Sequence, residues 1–118
     1  MQRLNTLCEV EELLREIKRR IKEDGLLFMN GRNKNAQTLS EFGITGRQQT
    51  EIIDSITAID YCGGPEEDEK YPWKSVSVFG KPFRHIELYI KFSIGLTGTP
   101  VVCLSFHESE IAIVYQFK

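Results

Sequence analysis

From Ile86 to Ile94 apolar and polar residues alternate without a break, Ile86, Leu88, Ile90, Phe92 and Ile94 against Glu87, Tyr89, Lys91 and Ser93. A period of two marks a strand with one buried face. Val101 to His107 reads as its antiparallel neighbour, joined across Gly95 to Pro100. Val76 and Val78 begin an earlier strand and are expected to turn inward, with Gly80-Lys81-Pro82 as the turn that follows. Ile111, Ile113 and Tyr115 predict one last short strand.

The first half of the chain carries the helical period instead. Val10, Leu13, Leu14, Ile17 and Ile21 recur at spacings of three and four, which predicts an amphipathic helix over residues 7–23 that Gly25 ends. Leu26 to Met29 fits a short strand, Gly31 to Asn35 a basic polar loop, and Leu39 with Phe42 a short helical turn. Thr45 and Gln48 match a capping box ahead of Ile52, Ile53 and Ile56, so a second long helix is expected over residues 46–57. Cys62 to Tyr71 has no apolar period and reads as a surface loop. Helices first and strands after predict an α+β fold, an antiparallel β-sheet of about four strands with two or three N-terminal helices packed on one face.

Length and composition then set the scale. With 118 residues, 41% of them hydrophobic, the chain fits one domain spanning residues 1–118. A net charge of -2 gives no general pull toward nucleic acid. The charge is unevenly placed, however. Glu41 to Tyr71 holds eight acids against Arg47 and Lys70, whereas Trp73 to Lys91 holds Lys74, Lys81, Arg84 and Lys91 against Glu87 alone. Three scattered cysteines, Cys8, Cys62 and Cys103, and a charged amphipathic N-terminus predict a reduced, cytoplasmic setting. No apolar stretch approaches the roughly 20 residues needed to span a bilayer, so no membrane partner is expected.

Pairing Ile94 with Pro100 puts Tyr89 opposite Ser105, Glu87 opposite His107 and Lys91 opposite Cys103. A register slip of two leaves the same set on the same face, and a slip of one scatters it. Such a face holds the parts for cutting RNA by its own 2′-hydroxyl: an imidazole for proton transfer, cations for the phosphorane and a phenol for the phosphate or a base. An ordinary solvated strand face with a cross-strand ion pair explains the same residues. Cys103 and His107 lie four strand positions apart, roughly 13 Å, too far to share a zinc ion. The acids from Glu66 to Glu69 lack the alternating spacing of a calcium loop. Neither metal nor cofactor is expected. Thr45 to Arg47 is better explained by helix capping than by phosphate binding, and Cys62 by a plain loop thiol than by a nucleophile.

From Tyr61 to Trp73, then at Glu87-Leu88-Tyr89-Ile90-Lys91 and Leu104-Ser105-Phe106-His107-Glu108, the sequence resembles the motility quorum-sensing regulator family of type II toxins. These are small mRNA interferases with a toxin-endoribonuclease fold, and the likeness covers about half the chain. Tyr89 matches the family's functional tyrosine, His107 stands at its last-strand lysine, Lys74 at a glutamine after the tryptophan, and Cys62 at a further lysine. The resemblance implies a metal-independent endoribonuclease that acts on single-stranded mRNA, leaves a cyclic phosphate and a 5′-hydroxyl, and is silenced by a cognate antitoxin protein. Catalysis is then assigned to His107, Tyr89, Lys91 and Lys74, and substrate binding to Arg84, Lys81, His85 and Glu87. A catalytically silent binding module that keeps the same sheet is the alternative.

Overall fold

A computed structural model gives the fold of residues Met1–Lys118. The first helix, α1 (Leu7–Asp24), starts where the Thr6 hydroxyl accepts from the Glu9 amide and the Glu9 carboxylate accepts from the Thr6 amide. That reciprocal pair satisfies amides the helix itself leaves free. Val10, Leu14 and Ile17 bury one stripe of α1 against Leu88, Ile90, Phe92 and Phe106 of the sheet. Gly25, at φ 94°, ends it. The buried Arg20 donates to the carbonyls of Gly95 (3.2 Å) and Leu96 (2.9 Å), which ties the helix end to a sheet turn.

The class is α+β, with the helices first and packed on one face, and the sheet has five strands in the order β1-β5-β4-β3-β2. These are β1 (Leu26–Phe28), β2 (Tyr61–Glu67), β3 (Ser75–Phe83), β4 (Ile86–Ile94) and β5 (Val101–Glu108). β1 runs parallel to β5, so the sheet is mixed; the other neighbours are antiparallel.

Three expectations about the strands are overturned. Residues Cys62 to Glu67 of the expected surface loop belong to the edge strand β2, and two register shifts against β3 explain why no period shows in Cys62-Gly63-Gly64-Pro65. Gly80-Lys81-Pro82 lies inside β3, because β2 pairs no further than Phe79 and Pro82 therefore needs no amide on that side. The turn is Arg84-His85, with Arg84 at φ 56° as a two-residue hairpin wants. Ile111, Ile113 and Tyr115 form no strand; their segment's backbone reaches the sheet through Gln116 N to Tyr61 O and Ser109 N to Glu87 O.

The expected basic loop and short turn become a ten-residue helix, α2 (Asn33–Phe42). It exists to close an edge. β1 covers β5 only from Val101 to Cys103, and beyond that α2 side chains take over the strand's hydrogen bonding. Asn35 donates to Leu104 O (3.0 Å) and accepts from Phe106 N (2.9 Å), and Thr38 accepts from Glu108 N (2.9 Å). An open edge buried without such partners would cost free energy at every unpaired group. The third helix, α3 (Gly46–Asp54), carries the expected Thr45–Gln48 capping box but stops at Asp54, three residues before the predicted end.

Candidate active site on the outer sheet face

With Leu88, Ile90 and Phe92 in the core, strict alternation puts Glu87, Tyr89, Lys91 and Ser93 on the side of the sheet away from the helices. β5 pairs His107 with Tyr89 and Ser105 with Lys91, two places from the expected partners. An even slip keeps the grouping. Beyond Ser105 the register shifts by one, because Leu104 is an extra residue between the pairs Lys91–Ser105 and Phe92–Cys103. This bulge turns Cys103 into the core, fully buried, and not opposite Lys91 on the open face as the unbroken alternation predicts. Burial pushes its thiol up to about 12.

The rings of Tyr89 and His107 stack, with centroids 5.4 Å apart and planes 22° from parallel. His107 Nδ1 lies 2.9 Å from the Glu108 carbonyl oxygen. A carbonyl only accepts, so Nδ1 holds the hydrogen and Nε2 of the neutral ring keeps the free lone pair. Tyr89 is half-buried, and its phenol is held above the usual tyrosine range, first by that burial and then by the neighbouring Cys62 and Glu66, which resist a second negative charge beside them. It is therefore a neutral hydrogen-bond donor at pH 7.

Two cations of the expected basic loop, Arg32 and Lys34, come to the same place. Arg32 donates to Leu104 O (3.1 Å), and Lys34 pairs with Glu110. Both border a cavity of about 370 Å³ that also holds Ser105 and His107. The first turn of α2 has no side-chain cap, so its amides add partial positive charge there. The signal was the run Gly31-Arg32-Asn33-Lys34, but only the edge-closing helix brings it beside β5.

Other predicted site residues go elsewhere. Glu87 faces outward as expected, but its carboxylate accepts from the Tyr115 hydroxyl at 2.5 Å, so the C-terminal segment occupies it. Lys81 is on the opposite side, paired with Leu88, and donates to Asp60 (3.0 Å) and to Ser55 O (3.0 Å). It holds the core's rim and is not available to substrate. Arg84 donates to Phe42 O (2.9 Å) and His85 packs on the Phe42 ring at 5.9 Å, so both bind the hairpin to α2.

Lys74 precedes β3, with its ammonium 5.0 Å from the Tyr71 ring. Ser75 pairs with Ile94, five positions from Tyr89 or about 17 Å along the strand. Lys74 and His107 are thus not brought together. Val76 and Val78, expected to face the helices, pair with Ser93 and Lys91 and share the outer face. Cys62 sits beside them, half-buried, its thiol pushed up to about 11 mainly by burial. No group of three or more His, Cys, Asp and Glu side chains converges as a metal ion would require. No helix is long and apolar enough to cross a membrane. No family model, curated protein or solved structure matches this chain.

Proposed function

We propose that this chain is an mRNA interferase of the motility quorum-sensing regulator type, a cytoplasmic toxin endoribonuclease held silent by a cognate antitoxin protein. The observation that supports it most is the Tyr89–His107 stack with Lys91 and Ser105 directly beside it. His107 Nε2 takes the proton of a 2′-hydroxyl, and that oxygen attacks the neighbouring phosphorus. The 5′ oxygen leaves with a proton drawn from water, giving a cyclic phosphate and a 5′-hydroxyl end. Lys91 and Arg32 offset the charge of the phosphorane, and the neutral Tyr89 phenol donates to a phosphate oxygen. Arg32 replaces Lys74, Arg84 and Lys81 in this assignment, because it borders the cavity that holds His107, whereas those three make their contacts away from that cavity.

Expression in a bacterium tests the proposal. The unaltered chain should arrest growth and deplete mRNA, and the purified protein should cut single-stranded RNA in EDTA. Equal growth and intact mRNA for the unaltered chain, His107→Ala and Tyr89→Phe would remove the enzyme reading.

One observation favours the second reading, a silent RNA- or protein-binding module. Cys62 stands where the resembling family has a lysine, and a half-buried, neutral thiol supplies no positive charge. RNA binding without cleavage would decide for it.

A further inference from the structure

Between the outer sheet face and the C-terminal segment lies a second cavity, of about 270 Å³, with mostly apolar walls. Tyr89, Val78 and Cys62 form its floor on the sheet, Ile111 and Ile113 come from the C-terminal segment, and Arg3 adds a guanidinium. We infer that this cavity takes one unpaired nucleobase of the RNA, next to the phosphate at Tyr89 and His107. The inference rests on the RNA-directed reading above and assigns a base-reading part to that site.

Three observations carry it. The cavity is continuous with the proposed chemistry: Tyr89 is at once its wall and the partner of the His107 ring. Ser109 also lines both this cavity and a separate polar hollow of about 490 Å³ on the α2 side of His107, whose walls include Lys34, Glu41 and Glu110, so a strand whose phosphate meets the imidazole has its adjoining base at the opening. Secondly, the chemistry suits a flat heterocycle. Aliphatic and aromatic side chains meet its faces, while the Arg3 guanidinium can donate to its edge and the Ser109 hydroxyl oxygen, whose hydrogen goes to Ile111 O, can accept from it. The volume lies just under the usual range for drug-sized ligands, about 300–1,000 Å³, as a single ring system requires. Thirdly, Ile111 lines the cavity and is nevertheless 80% exposed. A large aliphatic chain left to water beside an apolar hollow gains burial when an apolar face covers it.

Cysteine labelling tests this without relying on cleavage. Cys62 is inside the cavity, Cys8 is exposed on α1 and Cys103 is in the core, so the chain holds its own reporter and its own controls. Full-length protein is treated with a maleimide alone, with uncleavable 2′-O-methyl RNA of each homopolymer, and with an abasic oligomer of the same length. Binding is followed in parallel by fluorescence anisotropy, and labelling by peptide mass spectrometry.

At least one homopolymer should slow labelling of Cys62 roughly tenfold and leave Cys8 unchanged, whereas the abasic oligomer should bind about tenfold more weakly and give no protection. Ile113→Trp, which fills the cavity from the exposed segment, should weaken that homopolymer to the level of the abasic oligomer and leave the abasic affinity unaltered. RNA that binds with Cys62 labelled at the free rate would overturn the inference and leave the RNA-directed reading standing. Equal protection by the abasic oligomer would overturn it too. No binding of any RNA would remove the underlying reading, and the pocket's role with it.

Discussion

His107 lies flat against Tyr89 because β4 and β5 pair those two residues directly, and the bulge at Leu104 corrects the parity of the rest of β5 without disturbing them. The two rings form one unit, with the imidazole Nε2 on its free side. Removing either ring tests a different part of it. His107→Ala should lower RNA cleavage about 10²–10⁴-fold, the usual scale for a general acid or base. Tyr89→Phe keeps the stack and loses only the hydroxyl, so about tenfold is expected. Rates of cyclic-phosphate formation measure both, and a Tyr89→Phe loss as large as that of His107→Ala would contradict the division of roles.

Asn35 replaces a strand at the open edge of β5, and it is almost fully buried. Asn35→Ala leaves Leu104 O and Phe106 N short of a partner, each worth about 1–3 kcal/mol when buried. Arg32 still donates to Leu104 O, so the total loss should be about 2–4 kcal/mol. Urea unfolding should show it as a lower midpoint with the slope unchanged.

Lys81 is structural in this geometry. Its ammonium pairs with Asp60, whose side chain is only 2% exposed, and Lys118 lies further off at 3.6 Å. Lys81→Met should therefore destabilise by about 2–3 kcal/mol, since it strands a buried carboxylate that Lys118 and the Thr57 amide only partly satisfy. RNA affinity of the folded variant should stay within twofold of the parent, roughly the scatter of a surface substitution. A selective loss of RNA binding would return Lys81 to the substrate site.

The C-terminal segment packs closely over Gly80. A Cβ there would lie 2.8 Å from the Tyr115 hydroxyl and 2.9 Å from Ile113 Cδ1. Gly80→Ala should push the segment outward and break its Tyr115–Glu87 bond while β3 stays paired with β4. Limited proteolysis after Ser109 should accelerate at least several-fold, as expected when a segment held by few contacts is loosened. Unchanged cleavage would show that the segment is not held at Gly80.

The Cys62 thiol gives a dependence on pH with a definite sign. Its value in the folded chain is raised to about 11, so the folded state holds this proton more tightly than the unfolded state does. The stability from this source is complete below the ordinary thiol range, near 8.5, and falls away as pH rises toward 11. Because the thiolate is the reactive form, alkylation of folded Cys62 should climb about tenfold per pH unit from pH 7 to pH 10. A plateau near pH 8.5 would mean that the thiol is not buried beside Val78 as described.

Patterns that depend on neighbours in sequence were legible along the chain. The alternation Ile86 to Ile94 determined one strand and its two faces, the Thr45–Gln48 pair determined a helix start, and Gly25 a helix end. The set Tyr89, Lys91 and His107 was legible too, since it needs only parity and an even register. What remained hidden depends on contacts between distant segments. Pro82 is tolerated inside β3 because β2 stops short of it, and residues Asn33–Phe42 are helical because β5 needs its edge closed. Cys103 is buried because one residue bulges, and Glu87 is occupied because Tyr115, 28 positions further along the chain, folds back over Gly80 to reach it. Local periodicity thus settled which elements exist, because it is written in side chains a few positions apart. Hydrogen-bond satisfaction at edges and burial of the outer face decided which of their residues remain free for chemistry, and those are properties of the assembled sheet alone.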